Sequence, residues 1–119
     1  MTISASADVN PDAEARPSPV VVRIYQLRGE ARFRNAEFLP LFDEEKMVLA
    51  EELITRDEFV LAPSERRTLA VTLTPATRFV GALAAFRDFR SSEWRAIVPA
   101  PRSGLIVSVE RTRVVLTAN

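Results

Sequence analysis

The 119-residue sequence contains no histidine and no cysteine. That double absence removes the imidazole and thiolate groups on which Ser-His triads, cysteine nucleophiles and the common zinc and iron–sulfur centres depend. No disulfide frame is available, so stability has to come from packing in a reducing or an oxidising compartment alike. No apolar run approaches the roughly 20 residues that cross a bilayer as a helix. Residues 1–8 lack the basic and apolar regions of a secretory leader. Net charge is absent too: 16 basic side chains balance 16 acidic ones. With neither a basic excess nor interleaved aromatics, the chain lacks the footprint of a nucleic-acid binder.

What is present is ordinary globular composition, 47% hydrophobic and 27% charged, of a size that predicts one domain over 1–119. The charge balance hides a division along the chain. Glu37, Asp43, Glu44, Glu45, Glu51, Glu52, Asp57 and Glu58 face only Lys46 and Arg56, whereas seven arginines from Arg78 onward oppose Asp88, Glu93 and Glu110. Lys46 is the single lysine. Arginine at every other basic position favours planar, multidentate pairing with carboxylates, and internal acid–base pairs are the expected use.

Period-two patterns dominate. Residues 2–9 alternate, with Ile3, Ala5, Ala7 and Val9 on one face, and predict a half-buried edge strand. Three prolines within 10–19 then exclude helix and central strand, leaving a loop longer than a hairpin needs. Residues 20–27 form the strongest strand pattern, with Val20, Val22 and Ile24 toward the core and Val21, Arg23 and Tyr25 toward the other side. Gly29 lets the chain leave the sheet.

The acidic middle changes period. Phe38, Leu41 and Phe42 recur at helical spacing, and Pro40 limits them to a turn or two. Asp43 is expected to cap a helix with Glu44 and Glu45 in its first turn and an apolar stripe of Met47, Ala50, Leu53 and Ile54. The helical insert is thus placed at about 35–55. Beyond it, 59–61 and 68–74 read as a hairpin about the 62–65 turn. Residues 79–86, apolar on both faces, read as a covered central strand, 94–98 as another strand, and 105–110 with 113–117 as a closing hairpin. About eight short strands interrupted once by helix predict a mainly β fold, a sandwich of two antiparallel sheets.

Several segments in this order resemble the outer-membrane lipoprotein of bacterial type VI secretion systems, the TssJ (VasD/SciN-like) family. The most specific is Val9-Asn10-Pro11-Asp12 leading into Arg16-Pro17-Ser18-Pro19 and the strand Val20-Val21-Val22-Arg23-Ile24-Tyr25-Gln26-Leu27. Residues 38–53, Glu58-Phe59-Val60-Leu61 with its Pro63 turn, Ala85-Phe86-Arg87-Asp88 and Trp94-Arg95 extend the resemblance over nearly the whole chain. It implies a transthyretin-like β-sandwich with a short helical insert, held by an acylated cysteine at the periplasmic face of the outer membrane. It also implies a non-catalytic assembly role: binding the periplasmic C-terminal region of the inner-membrane protein TssM, with no cofactor, metal, nucleic acid or small-molecule substrate. The lipid-bearing cysteine is absent from this sequence and is expected upstream of Thr2 in a precursor. The family's partner-binding loop corresponds here to Asn10, Pro11, Asp12, Ala13, Glu14, Ala15, Arg16, Pro17, Ser18 and Pro19.

Other readings stand beside this one. Loops on a sandwich often carry recognition, yet by composition alone residues 10–19 also suit a passive connector. Arg23 and Tyr25 are interface anchors if exposed and structural if the insert covers them. Glu44, Glu45, Glu51 and Glu52 offer carboxylates for acid–base chemistry or a solvated helix face. Arg87 and Asp88 with Trp94 and Arg95 make either a binding notch or an ion pair. A small carboxylate–arginine enzyme and another transthyretin-like carrier or adhesion module are the alternatives.

Overall fold

Among the described residues the chain forms eight strands, three short α-helices and two 3₁₀ turns, and the strands and α-helices position the site. The computed structural model describes residues 1–118. In chain order they are β1 (Thr2–Ala5), β2 (Val20–Leu27), α1 (Ala31–Asn35), α2 (Phe38–Asp43), α3 (Glu45–Leu49), β3 (Leu53–Leu61), β4 (Arg66–Thr68), β5 (Phe79–Ala84), β6 (Arg95–Pro99), β7 (Leu105–Val109) and β8 (Val114–Ala118). One sheet has the order β4-β1-β7-β8 and the other β3-β2-β5-β6.

Three layers result. Ile3, Ala5, Val107 and Val109 of the first sheet meet Val22, Ile24, Val80 and Ala82 of the second in the sandwich core. On the outer face of the second sheet, Tyr25, Leu27 and Leu83 pack beneath Phe33, Phe38, Leu41 and Leu49 of the helical layer. Both faces of β2 and β5 are therefore covered. This explains why neither strand shows an apolar–polar alternation, and Tyr25, fully buried, takes its structural role.

The mainly β, two-sheet architecture is as expected, with four local differences. First, β1 is an interior strand, antiparallel to β4 and parallel to β7, so its sheet is mixed. It stops at Ala5; Ala7 is exposed, and Val9 reaches the core from the loop. A parallel pair needs a long crossover, which the whole second sheet supplies.

Second, residues 59–61 and 68–74 do not form a hairpin. β3 starts at Leu53 and pairs with β2, while β4 pairs with β1 in the other sheet, so the chain changes sheets at the 62–65 turn, where Ser64 has φ 66°. Third, residues 69–74 are not a strand. Gln26 holds them instead, donating Nε2 to the Thr72 carbonyl (3.1 Å) and accepting the Thr74 amide (3.0 Å).

Fourth, the helix expected to follow an Asp43 cap is split. Asp43 ends α2, Glu44 precedes α3 without a capping side chain, and Ala50 at φ 49° breaks the run into a single 3₁₀ turn, Ala50–Glu52. Met47 is 76% exposed, Leu49 is buried, and Leu53 and Ile54 already belong to β3. Pro40 sits in the first turn of α2, where an amide has no helical acceptor, so it costs no hydrogen bond.

Candidate interaction site

β1, β5 and β7 all point toward one end of the sandwich. The 10–19 loop, residues 86–88 after β5 and the β7–β8 turn at 110–113 converge there around an open cleft of about 540 Å³. Asn10 joins the three segments. Its backbone N–H donates to the Arg111 carbonyl (2.9 Å), its Nδ2 donates to the Pro19 carbonyl (2.9 Å), and its Oδ1 accepts the Arg87 amide (2.8 Å). The side chain is buried and the backbone has φ 49°, a left-handed conformation that asparagine tolerates better than most residues.

Asp12 closes the loop on itself. Oδ1 accepts the amides of Glu14 (2.9 Å) and Arg16 (3.0 Å), and Oδ2 accepts Nε of Arg16 (3.1 Å). The Arg16 amide, above all, holds the Asp12 carboxyl below the usual carboxylate range against some burial, with help from the Glu14 amide, the Arg16 side chain and the charge of Arg87. Such a carboxylate supports the fold above its unfolded pKa and loses that support as pH falls through the folded one, so the loop stays closed at neutral pH.

The ten residues expected to bind a partner are together but unlike. Asn10 and Ser18 are buried pins; Pro11 and Asp12 are half-buried; Ala13, Glu14, Ala15, Arg16, Pro17 and Pro19 are exposed. The notch expected from Arg87-Asp88 with Trp94-Arg95 is divided. Arg87 and Asp88 line the cleft, while Arg95 stacks over Trp94 at 4.1 Å and donates Nη1 to the carbonyls of Phe33 (2.7 Å) and Arg34 (2.8 Å), fastening α1 to the sheet. Arg111 and Thr112 also line the cleft, and sequence reading missed them. Their only signal was position, in the turn of a hairpin whose β7 runs parallel to β1.

The acidic insert resolves into a structural latch. Glu45 is buried and accepts Nη1 of Arg23 (3.1 Å), the Tyr25 hydroxyl (2.8 Å) and Nε of Arg56 (2.8 Å). Arg23 also donates Nε to Glu58 (2.8 Å) and Nη1 to the Phe42 carbonyl (2.8 Å), with its guanidinium 4.0 Å from the centre of the Phe42 ring. Burial disfavours the charge on Arg23, yet the bond to Glu58 and the neighbouring Tyr25 and Glu45 outweigh it and raise its pKa. Burial likewise pushes the Tyr25 phenol well above its ordinary value. The Glu45 carboxylate thus accepts three donors of the fold, while Glu44 and Glu51 are exposed.

A family model described as type VI secretion lipoprotein, VasD, EvfM, TssJ matches residues 1–119. Among solved structures, the type VI lipoprotein TssJ1 from Pseudomonas aeruginosa is 29% identical, with a TM-score of 0.92 over 99% of this chain and 92% of that one. A chain in a structure described as a type VI membrane complex is 28% identical, with a TM-score of 0.86 over 98% of this chain and 95% of that one. A third match, described as the type VI protein TssM C-terminal domain (869–1107) from EAEC, is 28% identical, with a TM-score of 0.82 over 98% of each chain. No match is found among curated protein sequences.

Proposed function

The chain belongs to the type VI secretion lipoprotein family, and from that premise we propose that it is a non-catalytic assembly component. In this reading its 10–19 loop docks the periplasmic C-terminal region of the inner-membrane protein TssM. The family is one of outer-membrane-associated lipoproteins, and no described helix is long and apolar enough to cross a membrane.

The observation that carries the reading is the polarity of the sandwich. Thr2 pairs with Ile106 and Ala5 with Val109, so β1 and β7 run together from the Met1 end toward the 10–19 loop and the 110–113 turn. A lipid tether upstream of Thr2 leaves from the opposite end. The loop then faces away from the membrane, toward a partner that reaches across the periplasm. The match described as the TssM C-terminal domain adds support. This chain covers 98% of the matched one, which is therefore near this chain's own length. The span 869–1107 is about twice that, which favours a lipoprotein-like companion of TssM as the matched chain.

The test is replacement of residues 11–17 by an equally long Gly/Ser segment. Equal length keeps the closure entropy similar, and the pins Asn10 and Ser18 remain, so circular dichroism should show a folded sandwich. Titration calorimetry against the periplasmic C-terminal region of TssM from the same secretion system should show weaker binding, because the ordered Asp12–Arg16 geometry is gone and must be re-formed at an entropic cost. Undiminished affinity in the folded variant would move the docking site elsewhere.

A further inference from the structure

Resting on the docking role of the 10–19 loop, we propose that the adjoining cleft is a carboxylate receptor. Its occupant is an acidic side chain on the docked segment of the TssM-class partner, held by Arg87 and Arg111.

Both arginines line the cleft and are exposed. Their neighbours are already committed: Arg16 pairs with Asp12 and Glu14, and Arg113 with Glu110. Among the described residues, the guanidinium groups of Arg87 and Arg111 make no ion pair and no hydrogen bond. Two aspartates also line the cleft, Asp12 and Asp88. Asp12 turns its oxygens to two amides and the Arg16 guanidinium inside the loop, although the charge of Arg87 also acts on it. What the cleft offers a ligand is therefore two guanidinium groups whose N–H donors are unspent, while Asp88 beside them discourages a second acidic group.

The cleft is also prepared for such a ligand. Asn10 holds the Arg87 amide and the Arg111 carbonyl, so both side chains grow from roots fixed by one buried residue. Less conformational freedom is then lost on binding. Phe86, Pro11 and Ala13 supply apolar lining, and charge contacts gain strength where water is displaced. Guanidinium groups meet carboxylates in a two-bond fork. A volume of about 540 Å³ is room for an acidic side chain and the peptide that carries it.

The experiment compares Arg87→Glu, Arg111→Glu and the double variant with the unmodified protein by calorimetry. The ligand is the TssM periplasmic C-terminal region, at low and at physiological salt. Neither guanidinium bonds to the fold, so every variant should still fold; Arg87→Glu removes a charge that favours the Asp12 carboxylate and should lower thermal stability slightly, whereas Arg111→Glu should leave it unchanged. Each reversal should weaken binding by about 30-fold or more and flatten its salt dependence, while Arg87→Lys should retain part of the affinity. Arg102→Glu, at the Met1 end of the sandwich, should leave binding unaltered. Full affinity in the folded double variant would overturn the receptor; if the Gly/Ser loop replacement still abolished binding, the docking loop would stand without it. Equal weakening by Arg102→Glu would also overturn it, because a field acting over the whole molecule would then explain the loss. If the unmodified protein bound no TssM region, both proposals would fail.

Discussion

At the scale of the residue, Asn10 carries more of the site than its place in a proline-rich loop announces. Its amide donates on one side and accepts on the other, so the two halves of the side chain are not interchangeable. Asn10→Asp keeps an acceptor for the Arg87 amide but sets a carboxylate oxygen against the Pro19 carbonyl. Asn10→Ala leaves the Arg87 amide and the Pro19 carbonyl unpaired and places alanine at φ 49°. Each variant should lose about 1–3 kcal/mol, the cost of stranding a polar group, measured by urea denaturation. A loss below about 0.5 kcal/mol for both would show that water replaces the amide without penalty. The position of this loop was legible in the sequence because prolines forbid regular structure. Its division into pins and presented residues was not, because Asn10 acts through Arg87, a residue 77 positions away. Local periodicity holds no trace of such a pairing.

At the scale of the element, strands marked by continuous apolar or β-branched runs emerged with nearly the expected bounds because burial decided them, as in β2 and β5. Elements whose limits depend on partners did not. β4 is short because Gln26 captures the chain that follows it, and α3 ends where Ala50 adopts a left-handed turn that no proline or glycine marks. The insert is instead fixed from below, by Glu45. Removing one member of a buried charged network strands the others, so Glu45→Ala should cost about 3–5 kcal/mol. Glu44→Ala, one residue earlier but exposed, should change stability by less than about 0.5 kcal/mol. Chemical denaturation of the two variants separates a latch from an acidic face. Similar small losses would mean that the helices hold to the sheet without Glu45, through the packing of Phe33, Leu41 and Leu49 and the Arg95 bonds to α1.

At the scale of the whole molecule, the sandwich has two dissimilar ends. Leu105 pairs with Ala118 and Thr2 with Ile106, so the strands nearest both termini approach the same end. Leu69 exchanges backbone hydrogen bonds with Met1 there. The 10–19 loop and Arg111 lie at the other end, separated by the full length of the strands. It follows that attachment through either terminus should present the cleft in the same way, whereas attachment through the 110–113 turn should press it against the bilayer. Hexahistidine tags at the N-terminus, at the C-terminus or within that turn, captured on vesicles of nickel-chelating lipid, make the comparison direct. Binding of the TssM periplasmic region to the first two preparations should be equal, and to the third strongly reduced, although all three proteins bind alike when free of vesicles. Equal binding on vesicles from all three attachments would mean that the recognised surface lies on the flank of the sandwich, where orientation does not hide it.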